Sequence, residues 1–203
     1  MGASSHNYNP GEPLGDWQAV VLKHDRFYKH SIMHVKYTTY DVRRGEDVIH
    51  ARPSHSDIVM LNSAFVEDSS KHPFCYAHVL GIFHANVVYL GEQNLDYRPR
   101  RLEFLWVRWY SVEEGTPSGW MARKLDRVHF LPMTSTADAF GFLDPADVLR
   151  GCHVIPAFSG GRVHPDGKTF SKLSQDQNDW FAYYINRCIG FIFGPSPHSS
   201  HPS

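Results

Sequence analysis

A series of short β-type segments, with no long helical pattern between them, restricts the fold of this chain more than any other feature of its sequence. The segments lie at 58–61, 75–83, 85–90, 102–110, 128–131 and 154–158, and residues rich in Gly, Pro, Asp and Asn separate them. Strands this short and this closely spaced are typical of small barrels and sandwiches. We therefore predict a mainly β protein whose core, from Asp57 onward, is a small barrel or sandwich.

Segment 102–110 carries the clearest strand pattern. Alternation places Phe104, Trp106 and Arg108 on one face, and Leu105, Val107 and Trp109 on the other. Because both faces carry large apolar groups, we expect this strand to be central in the sheet. Gly81 interrupts segment 75–83 and predicts a bulge of the kind that lets a small sheet curl.

The region before the predicted core, residues 16–56, predicts a short helix followed by a β-hairpin. Apolar residues between Trp17 and Tyr28 recur at roughly helical spacing, and Asp16 is a suitable cap. Two β-rich stretches, 31–40 and 47–50, then flank a turn-like Arg-Arg-Gly-Glu sequence. Residues 1–15 are rich in Gly, Pro, Ser and Asn and are predicted to be disordered.

The region after the core, residues 159–193, predicts a loop and a C-terminal helix. The helix is expected from about Asp176 to Ile189, because Trp180, Tyr183, Tyr184 and Cys188 recur every three or four residues. A shorter helical turn is expected at 144–147, where Pro follows a capping Asp. Residues 194–203 consist mainly of Ser, Pro and His and are predicted to be disordered.

The charge balance argues against a global attraction to nucleic acid. The 203 residues include 20 Lys and Arg and 21 Asp and Glu, which gives a formal net charge of -1. Binding to nucleic acid would therefore depend on a local patch, for which Arg98, Arg100 and Arg101 are the candidates. The same residues also fit an ordinary solvated face.

Cysteine use and hydropathy indicate a nuclear or cytoplasmic protein that is neither secreted nor inserted in a membrane. Cys75, Cys152 and Cys188 are far apart and form no C-x-x-C pair, so we expect three reduced thiols. No segment reaches the roughly 18 apolar residues that a membrane-spanning helix needs. The N-terminus also lacks the basic and apolar regions of a signal peptide.

Residues 57–158 resemble the bromo-adjacent homology (BAH) domain, a module of chromatin proteins. The resemblance rests on DIVML at 57–61, YAHVLGIF at 76–83, LWVRWY at 105–110, VHFL at 128–131 and DVLRGCHV at 147–154. It implies a curled, SH3-like β-barrel and a non-enzymatic interaction module that has no cofactor. The implied partner is a protein, with a chromatin or histone peptide as the expected ligand.

A looser likeness links the chain to accessory domains of transposase-derived proteins in mushroom-forming fungi. The strings YTTYDVRR at 37–44 and FLWVRW at 104–109 carry it. It extends towards the N-terminus and implies a transposon-associated accessory domain, but it supplies no activity.

A module that reads methylated lysine needs aromatic faces around the cation and a carboxylate beside them. The candidates for a peptide site of this kind are Tyr76, Trp109, Tyr110, Glu113 and Glu114. The aromatic members of this set fit core or rim packing equally well.

The alternative hypothesis is an iron(II)- and 2-oxoglutarate-dependent oxygenase. His55-Ser56-Asp57 followed by His153 has the order of a facial metal triad, and Arg162 could hold the co-substrate carboxylate. An H-x-D sequence is expected about once by chance in a chain with this many His and Asp residues. No nucleophile elbow, Walker loop or dinucleotide fingerprint occurs in the sequence.

Overall fold

The computed structural model describes residues 19–38, 43–51, 55–91, 97–113, 124–133, 139–169 and 173–186. The predicted disordered ends, 1–15 and 194–203, lie outside these residues. Glu114 and Cys188 lie outside them as well.

Strands make up most of the described residues, so the mainly β prediction is confirmed. The strands are β1 (Val20–His30), β2 (Ile32–Thr38), β3 (Arg44–His50), β4 (Asp57–Leu61), β5 (Phe74–Tyr89), β6 (Arg100–Val112), β7 (Asp126–Phe130), β8 (Phe140–Leu143), β9 (Val148–Gly151), β10 (His153–Pro156) and β11 (Tyr183–Asn186). A short helix, α1 (Ser63–Glu67), follows β4, and 3₁₀ turns occur at Pro145–Asp147, Phe158–Gly160 and Asp176–Asn178. The predicted turn at 144–147 is one of these, and the Asp144 side chain caps it by accepting from the N–H of Ala146.

Nine of the described strands form one antiparallel sheet around the long strands β5 and β6. Its order is β10-β11-β7-β6-β5-β4-β9, with β1 also paired to β5 and β8 also paired to β6. This order has two ends, so the described strands do not close into the predicted barrel. Strands β2 and β3 form the predicted hairpin, and they pack across β9.

A bulge in β5 decides which side chains share a face of the sheet. The pairing of β5 with β6 shifts register between Val79 and Gly81, as the glycine predicts. Residues on either side of an extra residue exchange faces, so Phe83 lies on the same face as His78. We call this the outer face, and the opposite face the hairpin face.

The hairpin face carries the larger core. Its central strands contribute Ile58, Val79, Leu105 and Val107, all fully buried. The hairpin adds Val35 and Ile49, and β8 and β9 add Leu143 and Val148.

Polar contacts tie the hairpin to β9. The Arg150 guanidinium donates from Nε to Asp47 Oδ2 at 3.1 Å and lies 3.8 Å from the Tyr37 ring centre. The backbone N–H of Gly151 donates to the same carboxylate. The two-stranded hairpin therefore covers one side of the sheet at a fixed position.

A second core occupies one end of the outer face, which we call the covered end. Val59, Tyr76 and Tyr110 lie on β4, β5 and β6, and Val128, Tyr183 and Ile185 come from β7 and β11. Burial raises the pKa of Tyr183, and it raises the pKa of the Cys152 thiol, which packs against the same core.

The helix predicted after Asp16 is wrong for the described residues, which form strand β1. Its two halves pair with β5 in different registers, and the shift falls between Leu22 and Phe27. His24 and Asp25 have φ values of 63° and 49° within this irregular stretch. The four-residue interruption between two β-type apolar groups imitates helical spacing in the sequence.

The predicted C-terminal helix is also wrong over the part that is described, 176–186. A 3₁₀ turn at Asp176–Asn178 leads into strand β11. Tyr183 and Ile185 are buried while Tyr184 between them is exposed, which is the alternation of a strand. The sequence around Trp180, Tyr183 and Tyr184 is compatible with a helix and with a strand. The pairing of β11 with β7 and β10 shows that residues 183–186 form a strand.

Candidate functional site

The structure does not bring the predicted peptide-binding residues into one aromatic cage. Tyr76 is fully buried, and its hydroxyl donates to Asp126 Oδ2 at 2.6 Å. Tyr110 is 8% exposed and belongs to the same core. Trp109 lies on the hairpin face, where it packs against Gly141.

Glu113, an acidic residue of the predicted peptide site, is already paired. Glu113 Oε2 accepts from Arg127 Nη1 at 3.0 Å, and Glu114 lies outside the described residues. The described members therefore act as core and rim residues.

A row of polar side chains crosses the middle of the outer face. Asp57, His78 and Arg108 stand directly opposite one another on β4, β5 and β6, and we call them the polar row. His78 Nδ1 donates to Asp57 Oδ1 at 2.7 Å, and the Tyr110 hydroxyl donates to the same oxygen at 2.9 Å. Burial is the largest cause of the raised pKa of Tyr110, and the nearby Asp57 carboxylate adds to it.

Arg108 is the most buried charge of the row, at 5% exposed. Its Nη1 donates to Asp179 Oδ2 at 2.6 Å, and its guanidinium lies 3.8 Å from the centre of the Phe130 ring. Burial raises the pKa of Asp179, and Arg108 opposes that rise. Since the chain's own guanidinium lies against Phe130, this ring is not free to receive an external cation.

A cavity of about 590 Å³ lies over the polar row. The polar row, Tyr110, Phe130, Val154 and Tyr183 line it from the sheet. The rest of the lining consists of Gly167, Thr169, Ser174, Gln175, Gln177, Asn178 and Asp179. We call it the polar cavity. Sequence analysis did not predict this cavity, because the hydrogen-bond partners lie far apart in the chain. Asp179 lies 71 positions from Arg108, and Asp57 lies 21 positions from His78.

The other end of the outer face carries aromatic rings on four neighbouring strands, some exposed and some half-buried. We call it the aromatic face, and it comprises Phe27, Phe83, Leu102, Phe104, Trp106 and Phe142. Together with Lys29, Leu80, Leu173 and Gln175 these residues line a groove of about 830 Å³. Phe142 is 69% exposed and Phe27 is 59% exposed, so this face is open to solvent.

Ring-to-ring contacts order the aromatic face. Phe104 lies at its centre, with ring centres 5.6 Å from those of Phe27, Phe83 and Phe142. The Trp106 ring lies 4.9 Å from Phe142. The alternation in 102–110 predicts Phe104 and Trp106 on one face. Sequence analysis did not predict strand β8, and its Phe-Gly-Phe-Leu sequence was the signal that could have revealed it.

The predicted basic patch lies beside the aromatic face, at the start of β6. Arg100 and Arg101 are exposed, as is Arg98 just before the strand. Arg101 Nε donates to Glu103 Oε1 at 2.7 Å, so part of its charge is locally compensated. Arg100 shares a face with Leu102 and Phe104 by alternation.

The residues of the alternative iron site do not fit a metal centre. The His55 ring lies 6.2 Å from that of His50, Asp57 is bonded to His78 and Tyr110, and His153 is an exposed residue of β10. Arg162 lies over the Trp180 ring at 5.3 Å. Among the described residues, which include all of these, no group of three or more His, Cys, Asp or Glu side chains is placed to hold a metal ion.

Within the described ranges, no helix is long and apolar enough to cross a membrane. Cys75 and Cys152 are free thiols, as the sequence predicts for them.

Comparison with known proteins gives no relative. No protein-family model, curated protein or solved structure matches this chain. The sites described above therefore carry the functional argument by themselves.

Proposed function

We propose that this chain is a protein-interaction module that binds an extended peptide segment of a partner on its aromatic face. The observation that carries the proposal is the contiguous set of rings on β1, β5, β6 and β8, among which Phe27 and Phe142 are exposed and the others are half-buried. Apolar patches of this kind, when they lie on an ordered surface, mark interaction sites. The resemblance of residues 57–158 to BAH modules supports the same class of function.

The shape of the groove favours peptide side chains over nucleobases. Leu80, Leu102 and Leu173 are part of its lining, so much of the contact surface is aliphatic. Two of the three rings around Phe104 meet it edge to face, with interplanar angles of 83° for Phe27 and 79° for Phe142, and the third, Phe83, stacks on it at 21°. Base stacking needs flat ring faces that are open to solvent, whereas leucine and phenylalanine side chains fit a mixed aliphatic and aromatic surface.

The charges beside the groove favour a partner that carries carboxylates. Lys29 lines the groove, and Arg100 projects on the same face of β6. These cations attract acidic residues that flank an apolar anchor and repel a lysine-rich histone tail. A chromatin partner would therefore bind through an acidic or neutral segment.

The rings also lower the cost of binding, because each is held by its neighbours before a partner arrives. An anchor side chain that enters a preformed surface orders few additional groups. Binding energy is therefore expected to concentrate in a few aromatic residues, as at other peptide-binding interfaces.

Fluorescence anisotropy with three labelled ligands tests the proposal. The first ligand is an acidic peptide that alternates aspartate with leucine and phenylalanine; the second replaces its aspartates by lysines; the third is oligothymidine. We expect the acidic peptide to bind most tightly. Phe142→Ala should weaken its binding by about tenfold or more, as for an interface anchor.

Phe158→Ala is the matched control, because Phe158 is 67% exposed against 69% for Phe142 but packs against Trp180 away from the groove. Equal losses for the two variants would contradict the proposal. Tighter binding of oligothymidine would make the face a nucleic-acid platform, and tighter binding of the lysine peptide would restore the histone-type partner.

A further inference from the structure

The polar cavity is separate from the aromatic face in its chemistry, although both lie along the outer face of β6. Gln175 is the residue that lines both of them. Amide, hydroxyl and charged side chains surround the polar cavity, whereas the aromatic face is largely apolar.

His78 presents a hydrogen-bond acceptor at the floor of the cavity. Its Nδ1–H is directed to the Asp57 carboxylate, so Nε2 carries the lone pair in the neutral ring. Nε2 has no hydrogen-bond partner among the described residues. Asp57, which also accepts from Tyr110, holds this ring orientation.

Arg108, which lies beside His78, has an N–H group that lacks an acceptor in the part of the chain that the structure describes. Its Nε is buried and has no hydrogen-bond partner within the described part of the chain. A buried N–H of a charged group that stays unpaired costs free energy, and the guanidinium that carries this N–H is part of the cavity lining. His78 and Arg108 are directly opposite each other on β5 and β6, where Cβ atoms lie about 5 Å apart.

The charged groups of the site already have partners within the protein: Asp57 accepts hydrogen bonds, and Arg108 and Asp179 form an ion pair. Asp57 has His78 and Tyr110 as partners, and Asp179 has Arg108. A ligand with a net charge would disturb these pairs, so a neutral ligand is favoured. The rings of Phe130 and Tyr183, which meet edge to face, contribute apolar surface to the cavity lining.

We propose that the polar cavity binds a neutral, planar amide edge, with the ligand N–H donating to His78 Nε2 and its carbonyl oxygen accepting from Arg108. We assign this edge to the carboxamide side chain of asparagine or glutamine in a peptide, because Arg108 and Tyr110 already lie against the Phe130 ring and leave no face of that ring on which a nucleobase could stack. The site is independent of the aromatic face, since it uses different residues and recognises polar groups.

Heteronuclear NMR titration of the full chain tests this site with two probes. N-acetylglutamine methylamide represents the peptide source, and uridine represents the nucleobase source. Their matched controls are N-acetylglutamate methylamide and 3-methyluridine, in which the side-chain N–H2 or the ring N–H is missing. We expect N-acetylglutamine methylamide to shift the Arg108 Nε–H resonance, and its matched control to leave that resonance in place; a shift with uridine alone would make the ligand a nucleobase.

The variant His78→Leu should weaken binding of the active probe about tenfold, the effect of losing one well-formed hydrogen bond. His84→Leu is its control, because His84 lies on the same strand but contacts His30 and Tyr28 outside the cavity. If His78→Leu does not fold, the shift of the Arg108 Nε–H resonance in the wild-type chain still tests the proposed site. The site assignment is overturned if neither amide probe moves that resonance, or if a matched control moves it equally.

Discussion

The two ends of the outer face are built from the same strands and differ in what covers them. At the covered end, Tyr76 and Tyr110 project from β5 and β6 and are buried beneath β7 and β11. At the other end, Phe83 and Phe104 project from the same strands and form the aromatic face. Ring content is similar, so the presence of a further layer decides whether an aromatic residue supports the fold or is available to a partner.

Removing one ring from each end tests this difference between the two ends most directly. Tyr110→Ala should lower the free energy of unfolding by about 3–5 kcal/mol, since it opens a cavity among Phe130, Tyr183 and Val128. Phe142→Ala should change it by less than about 1 kcal/mol, because Phe142 is mostly exposed. Urea unfolding measures both, and equal losses would show that the aromatic face is part of the core.

Removing the carboxylate partner of the polar row, which lies between the two ends, should lower the free energy of unfolding almost as much. Asp179→Ala leaves the Arg108 guanidinium buried without its carboxylate, which should cost about 3 kcal/mol of unfolding free energy. Asp166→Ala is the control, because Asp166 contacts Lys168 at the surface. A loss for Asp179→Ala no larger than that for the control would mean that water replaces the carboxylate.

The bulge offers a way to perturb the aromatic face alone. A Cβ at Gly81 would overlap Phe83 Cε2, so Gly81→Ala must displace that ring. We expect a loss of about 1–3 kcal/mol in unfolding free energy, together with weaker binding of the acidic peptide. Unchanged peptide affinity in a folded variant would remove Phe83 from the binding surface.

The smallest effect is expected at the rim of the covered end. Glu113 and Arg127 form an ion pair between partly exposed side chains, with exposures of 30% and 42%. Arg127→Ala should therefore change the unfolding free energy by no more than about 1 kcal/mol, and less in high salt. A salt-independent loss of several times that size would show that the pair is coupled to the core.

Sequence alternation predicts which strands exist and which residues share a face, but not which face is covered. The pattern at 102–110 places Phe104, Trp106 and Arg108 together, and the structure keeps them together. It gives no means of knowing that Arg108 meets Asp179 or that β11 covers Tyr110, since those partners come from distant parts of the chain. The structure does not assemble the candidate cage, for two reasons. Trp109 and Tyr110 alternate to opposite faces, which the pattern itself shows, and Tyr76 is buried in the core, which it does not.

Strand β1 borders the aromatic face, and its irregular backbone has a consequence for how copies of the chain meet. Among the described residues it pairs with β5 alone, so its other edge presents unpaired backbone groups next to exposed phenylalanine rings. A straight edge in that place would invite edge-to-edge stacking into fibrils. The left-handed residues His24 and Asp25 divide the edge into two short pieces, which limits such aggregation while leaving the rings accessible.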